Sequence, residues 1–291
     1  MNDGDNQKKF RILSIDGGGI RGIYSATILE VFEKHFQTKI IDHFDMICGT
    51  STGGIIAIAL AVGFSAEQIV QFYYEKGPKI FTKSLWSTIS QFIGNGKYGN
   101  KQLKQSLQEF FGDKKLKDAS CYLCIPSFDL STGACYVFKT PHHSSLTRDI
   151  ETPLFEVALA TSAAPIYFPV YSSTFSHGNL FVDGGIWANN PSLVGIVEAL
   201  RFFVGKEKQF QKVTLVSVSN ISEPFAKIKP PKNSILGWNK DIIDVFLAAQ
   251  SSSMDLMTKF LVENLGWQYH RIPSPELSKE QLCKFKLDNS E

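Results

Sequence analysis

Three short clusters in this 291-residue chain carry groups suited to acyl-transfer chemistry. The most informative is Gly49-Thr50-Ser51-Thr52-Gly53, a G-x-S-x-G frame between two apolar runs, His43 to Cys48 and Ile55 to Val62. A serine between glycines, where a strand meets a helix, is able to sit in a sharp, strained turn. Its hydroxyl then projects above the sheet, over the helix N-terminus. Ser51 is the candidate nucleophile, with Gly49 and Gly53 supporting the turn. The competing reading is a plain connection in which Thr50, Ser51 or Thr52 caps the helix.

The second cluster, Asp16-Gly17-Gly18-Gly19-Ile20-Arg21-Gly22, follows the apolar stretch Phe10 to Ile15 and opens an amphipathic segment. Two uses fit. As G-x-G-x-x-G it matches a dinucleotide-binding turn, with Asp42 or Asp45 as the acid for a ribose. Against that, Asp45 falls inside the next apparent strand, and Asp16 would set a carboxylate against the pyrophosphate. Alternatively, the backbone amides of Gly17, Gly18 and Gly19 stabilise a developing oxyanion. Two glycine turns after successive strands share the carboxyl-terminal edge of a sheet, which brings them together. Arg21 then steadies the loop or meets an anionic substrate group, or else makes a surface ion pair.

A serine hydroxyl needs a base. None of His35, His43, His142, His143, His177 and His270 stands in a distinctive motif. Asp183 is better placed. It closes the short apolar run Leu180 to Val182 and precedes Gly184 and Gly185, which puts a carboxylate on another edge turn. Its ordinary pKa of about 3.9 makes it a weak base, so a Ser-Asp pair leans on oxyanion donors and on a dry pocket that raises the carboxylate's basicity. The order Ser51, Asp183, His270 also admits a Ser-His-Asp esterase.

These residues require a scaffold of alternating strands and helices. Strands are expected at Phe10–Ile15, His43–Cys48, Cys121–Phe128, Ala134–Lys139, Leu180–Val182 and Val213–Ser219. Helices are expected after Arg21, after Ser51, after the cap Ser65, after the cap Asn100, over Pro153–Ala163 ahead of Pro165, from Pro191 to about Val204, and over Asp241–Asn264. A polar tail should follow. Residues 77–100 lack periodicity and read as a flap whose aromatics are half-buried anchors or a lipid-contacting rim. The alternation predicts a three-layer α/β/α fold with a mainly parallel central sheet.

Composition narrows the partners. Hydrophobic content of 43% with 20% charged residues describes a globular chain. A net charge of +2 argues against a nucleic-acid polymer. Short basic clusters, Lys114/Lys115/Lys117 and Lys227/Lys229/Lys232, are either solvated loops or contacts for an anionic surface. The first ten residues hold no apolar leader, and the longest apolar run is too short to span a bilayer. Five cysteines, an odd count, fit free thiols, so the expected setting is cytoplasmic with peripheral membrane contact. The lone C-x-x-C, Cys121 to Cys124, lacks a second ligand pair and reads as part of a strand.

Taken together, the DGGGIRG, GTSTG and DGG blocks resemble patatin-like phospholipases. Ala160-Thr161-Ser162-Ala163-Ala164-Pro165, Tyr167-Phe168 and Asn189-Asn190-Pro191 support the resemblance, which covers about residues 10 to 220 in the expected order. It implies a flexible stretch at 1–9, a phospholipase domain at 10–272 and a tail at 273–291. It also implies a Ser51-Asp183 dyad cleaving fatty acyl esters through an acyl-enzyme, an oxyanion hole chiefly at Gly18 and Gly19, and no cofactor or calcium. The expected partner is a phospholipid at a membrane surface. Some bacterial proteins that look like this family are defence effectors switched on by a cyclic oligonucleotide, so such an activator is also an expectation. One departure stands out: many relatives carry Gly-Thr-Gly where this chain has Ser219-Asn220-Ile221.

Overall fold

The β-branched and apolar alternation of the first segment decides the architecture. In a computed structural model, which describes residues 8–80, 100–176, 178–221 and 241–277, β1 (Lys9–Ile15) sends Phe10 and Ile12 to one face and Leu13 and Ile15 to the other. Each set enters a separate apolar core, so both faces of the sheet are covered. In chain order the described elements are α1 (Gly22–Phe36), β2 (Met46–Gly49), α2 (Thr52–Ala61), α3 (Ala66–Ile80) and α4 (Asn100–Phe111). Then come β3 (Tyr122–Asp129), β4 (Ala134–Lys139), α5 (Leu154–Thr161), β5 (Tyr171–Ser172), β6 (Leu180–Asp183) and the single turn α6 (Gly185–Ala188). The chain continues with α7 (Ser192–Phe202), β7 (Lys212–Val218), α8 (Asp241–Asn264) and β8 (Gln268–Ile272).

The sheet runs β5-β6-β3-β2-β1-β7-β8, with β4 also paired to β3. Strands β3, β2, β1, β7 and β8 are parallel, and β4, β5 and β6 form the antiparallel part. Helix α2 is buried along its whole length between the sheet and the outer helices, which explains its all-apolar sequence after the glycines. The result is the expected three-layer α/β/α fold. No helix among the described residues is long and apolar enough to cross a membrane.

Strand β3 does the placing. Its Cys124 pairs with Cys48 of β2 on one side and with Lys139 of β4 on the other. Farther along, Ser127 pairs with Tyr136 of β4 and with Asp183 of β6. Because β4 keeps one flank throughout, β6 must occupy the flank that β2 vacates after Gly49. Asp183 is thereby delivered to the space just beyond the end of β2, where the Ser51 turn begins.

Several elements depart from expectation. His43 belongs to a 3-10 turn (Ile40–His43), and β2 starts three residues later. The segment after α8 holds a strand, β8, in parallel register with β7, where a polar tail was expected. Its alternating Tyr269 and Arg271 read as polar from composition, yet the edge of a sheet accommodates them on one packed face. The cap at Ser65 works with Gln68, each side chain bonding the other's amide. Residues 77–80 complete α3, residues 81–99 of the expected flap lie outside the described residues, and Asn100, its last residue, opens α4.

Candidate active site

Ser51 is the N-cap of α2 with φ 55° and ψ −124°, a left-handed, strained backbone for a non-glycine residue. The flanking glycines make that turn sterically feasible. A methyl on Gly49 would lie 2.2 Å from the Gly53 carbonyl oxygen, and one on Gly53 would lie 2.4 Å from that of Ile15. Backbone cannot yield as a flexible side chain does, so both positions are held to glycine by contact. The Ser51 side chain makes no capping bond. Its hydroxyl donates instead to Asp183 Oδ2 at 2.6 Å.

Asp183 accepts a second bond at Oδ1 from the Gly185 amide, 2.7 Å away. It is almost fully buried. Burial pushes its pKa up to about 6, a rise that the bonds from Ser51 and Gly185 partly oppose. Gly184 packs against β3 so closely that a methyl there would meet the Pro126 carbonyl at 2.3 Å.

The glycine loop divides its roles. The Gly17 amide donates to the Asn189 carbonyl at 3.0 Å. Expected as an oxyanion donor, Gly17 is therefore corrected to an anchor, since its one N–H is already used. The amides of Gly18 and Gly19 donate to no acceptor among the described residues, and both residues line the same cavity as Ser51 and Asp183. Arg21, weighed above as a surface ion-pair former, is buried, and its Nη1 donates to the Ile221 carbonyl.

Several organising residues carried no chemical motif. Thr161 Oγ1 accepts from the Ser51 amide at 3.0 Å and donates to the Pro126 carbonyl at 2.6 Å, tying the Ser51 turn to β3. Thr50 Oγ1 donates to the Ala188 carbonyl, so the turn after β6 holds the Ser51 turn through Ala188 and the glycine loop through Asn189. The available signal was the Ala-Thr-Ser-Ala-Ala-Pro and Asn-Asn-Pro wording, which said that these segments matter but not how.

The cavity over the pair has a volume of about 410 Å³. Its walls are mainly apolar, with Ile55, Phe72, Leu103, Phe168 and Leu247 among them. Such a lining suits an acyl chain. No histidine among the described residues lines it. His270 lies on β8, exposed, at the opposite end of the sheet from β6, so the Ser-His-Asp arrangement is not formed. The His142 side chain is buried, with Nε2 2.8 Å from Glu198 Oε1, and its ring packs against Phe202 and Phe203. His177 lies outside the described residues.

The dinucleotide reading fails on placement. Asp45 precedes β2 and bonds the Arg11 amide, and Asp42 bonds its own 3-10 turn, so both acids sit at the amino-terminal edge, away from the glycine loop. Lys115 and Lys117 are both paired with Glu151, whose single charge offsets one of the cluster's three. The second cluster, Lys227 to Lys232, lies outside the described residues.

Comparison with known proteins identifies the family. A family model described as patatin-like phospholipase matches residues 13–195. A cGAMP-activated phospholipase of Pseudomonas aeruginosa is 33% identical over 272 residues, covering 93% of this chain and 81% of the relative. Patatin-like protein 4 of Arabidopsis thaliana is 30% identical over 324 residues, covering 96% and 79%. Among solved structures, VipD from Legionella pneumophila is similar at a TM-score of 0.44 and 13% identity, covering 98% of this chain and 65% of that one. The chain belongs to the patatin-like phospholipases, carboxylic ester hydrolases by class.

Proposed function

We propose that the protein hydrolyses fatty acyl esters of membrane phospholipids through a Ser51-Asp183 dyad. Ser51 Oγ attacks the ester carbonyl carbon while its proton passes to Asp183 Oδ2. The carbonyl oxygen, now negative, is held by the amides of Gly18 and Gly19 at the opening of α1. Asp183 returns the proton to the departing alcohol, leaving the acyl group on Ser51. A water then attacks this ester, Asp183 takes its proton, and the fatty acid leaves as Ser51 regains its hydrogen. The supporting observation is the direct 2.6 Å bond between Ser51 and a buried carboxylate on the wall of an apolar cavity.

The test is turnover of a mixed phospholipid panel by wild type, Ser51→Ala and Asp183→Asn. Each variant should lose about a thousandfold or more in kcat while remaining folded. A fluorophosphonate should label Ser51. Full turnover by either variant, or labelling elsewhere, would refute the dyad.

The activator belongs to the same proposal. The Pseudomonas aeruginosa relative is a cGAMP-activated phospholipase, and a cyclic oligonucleotide is the activator class inferred here. Adding cGAMP and related cyclic dinucleotides to the purified protein should raise phospholipid turnover. Equal rates with and without each of them would remove this part while leaving the dyad standing.

A further inference from the structure

The glycine loop has a difficulty that its own residues do not solve. Three consecutive glycines carry wide conformational freedom, yet two of their amides have to be held in a fixed direction to serve an oxyanion. Moreover, Asp16 precedes them directly, and an unbalanced carboxylate there would oppose negative charge on the reacting oxygen.

Both problems meet at β8. Ser14 pairs with Ser217, and Ser217 pairs with Arg271, so these three residues form a row across β1, β7 and β8. Asp16 is two residues beyond Ser14, on the same face. Arg271 reaches along this row. Its Nη1 donates to Ser217 Oγ at 2.6 Å and to Asp16 Oδ1 at 3.3 Å, and its Nη2 donates to Asp16 Oδ2 at 2.6 Å. This is a two-pronged pair with a carboxylate that is 4% exposed. From α8, Asp255 lies 3.7 Å from Arg271 Nε and accepts from Tyr269 at 2.6 Å, which holds the guanidinium from behind. The Asp16 amide donates to the Val218 carbonyl, so backbone and side chain both fasten the residue that leads into the loop.

The geometry points to Arg271 as the positioning residue of the oxyanion loop: it fixes the direction of the Gly18 and Gly19 amides through Asp16 and cancels the Asp16 charge beside the developing oxyanion. This inference rests on the dyad reading above. It also gives β8 a part in catalysis, although Arg271 touches no substrate. Lysine carries the charge but lacks the planar fork, so it can restore neutrality and not direction.

The experiment compares steady-state kinetics and thermal melting of wild type, Arg271→Lys, Arg271→Met and the pair Asp16→Asn/Arg271→Met, with Ser51→Ala as the reference. Arg271→Lys should lose about tenfold in kcat and Arg271→Met about a hundredfold, with KM changed less than about threefold. The double variant, freed of its bare carboxylate, should recover about tenfold over Arg271→Met. If Arg271→Met does not fold, Arg271→Lys and the double variant decide alone, because neither leaves a buried charge without a partner. Values of kcat within twofold of wild type for both would overturn the inference, as would losses confined to KM. A Ser51→Ala protein that still turns over lipid would instead strike the dyad reading itself.

Discussion

Asp183 is held between two demands. Its basicity comes from burial, which raises its pKa to about 6. The same burial makes the charged form costly in the folded protein. Activity should therefore fall as pH drops through about 6, when Asp183 takes up a proton and no longer accepts one from Ser51. Stability should move the other way. A carboxyl with a raised folded pKa binds a proton more readily when folded, so acidification from pH 7 towards 4 favours the folded form. The gap between about 6 and the ordinary 3.8 corresponds to about 3 kcal/mol above pH 6. Asp183→Asn keeps an oxygen for the Gly185 amide and offers an amide to Ser51. It should be inactive yet more stable than wild type by up to about 3 kcal/mol at pH 7, with the difference vanishing below about pH 4. Urea unfolding at both pH values checks this. An unchanged midpoint at pH 7 would contradict it.

At the scale of elements, the Ser51 turn stores strain that the glycines make tolerable. Gly53→Ala would press a methyl into the Ile15 carbonyl at 2.4 Å and the Asp16 carbonyl at 2.6 Å, backbone groups that have little room to relax. A cost of about 3 kcal/mol and a melting point lower by roughly 5–10 °C are expected, read by calorimetry. Activity should fall further than the folded fraction, because displacement of the turn moves Ser51 away from Asp183. This scale is also where the sequence was most legible. Strand–glycine–helix junctions have a local signature, so β1, β2, α2 and β6 could be read with their chemistry attached. Arg271 and Thr161 could not. Their importance arises from pairings across strands and from a helix far along the chain, and neither residue type nor local spacing reports such contacts. The assignment of Gly17 as an oxyanion donor failed for a similar reason: its amide is taken by Asn189, 172 positions later.

For the molecule as a whole, the cavity lies between helices from distant parts of the chain. Phe72 and Ile80 come from α3, Leu103 from α4 and Leu247 from α8. Leu103 is almost fully buried and faces this space. Leu103→Trp should fill part of it and shift preference towards shorter acyl chains, by about tenfold in the ratio of kcat/KM values. An unchanged chain-length profile would place the acyl chain elsewhere. The hairpin between β3 and β4 offers another handle. Its tip, Leu130 to Gly133, is exposed and lies in the chain between Ser51 and Asp183. Severing the peptide after Thr132 would leave Ser51 on one fragment and Asp183, its proposed base, on the other, with many strand pairings available to rejoin them. Each fragment alone should be inert. Mixed, they should work as a two-component enzyme whose rate, at low concentration, grows with the product of the two amounts.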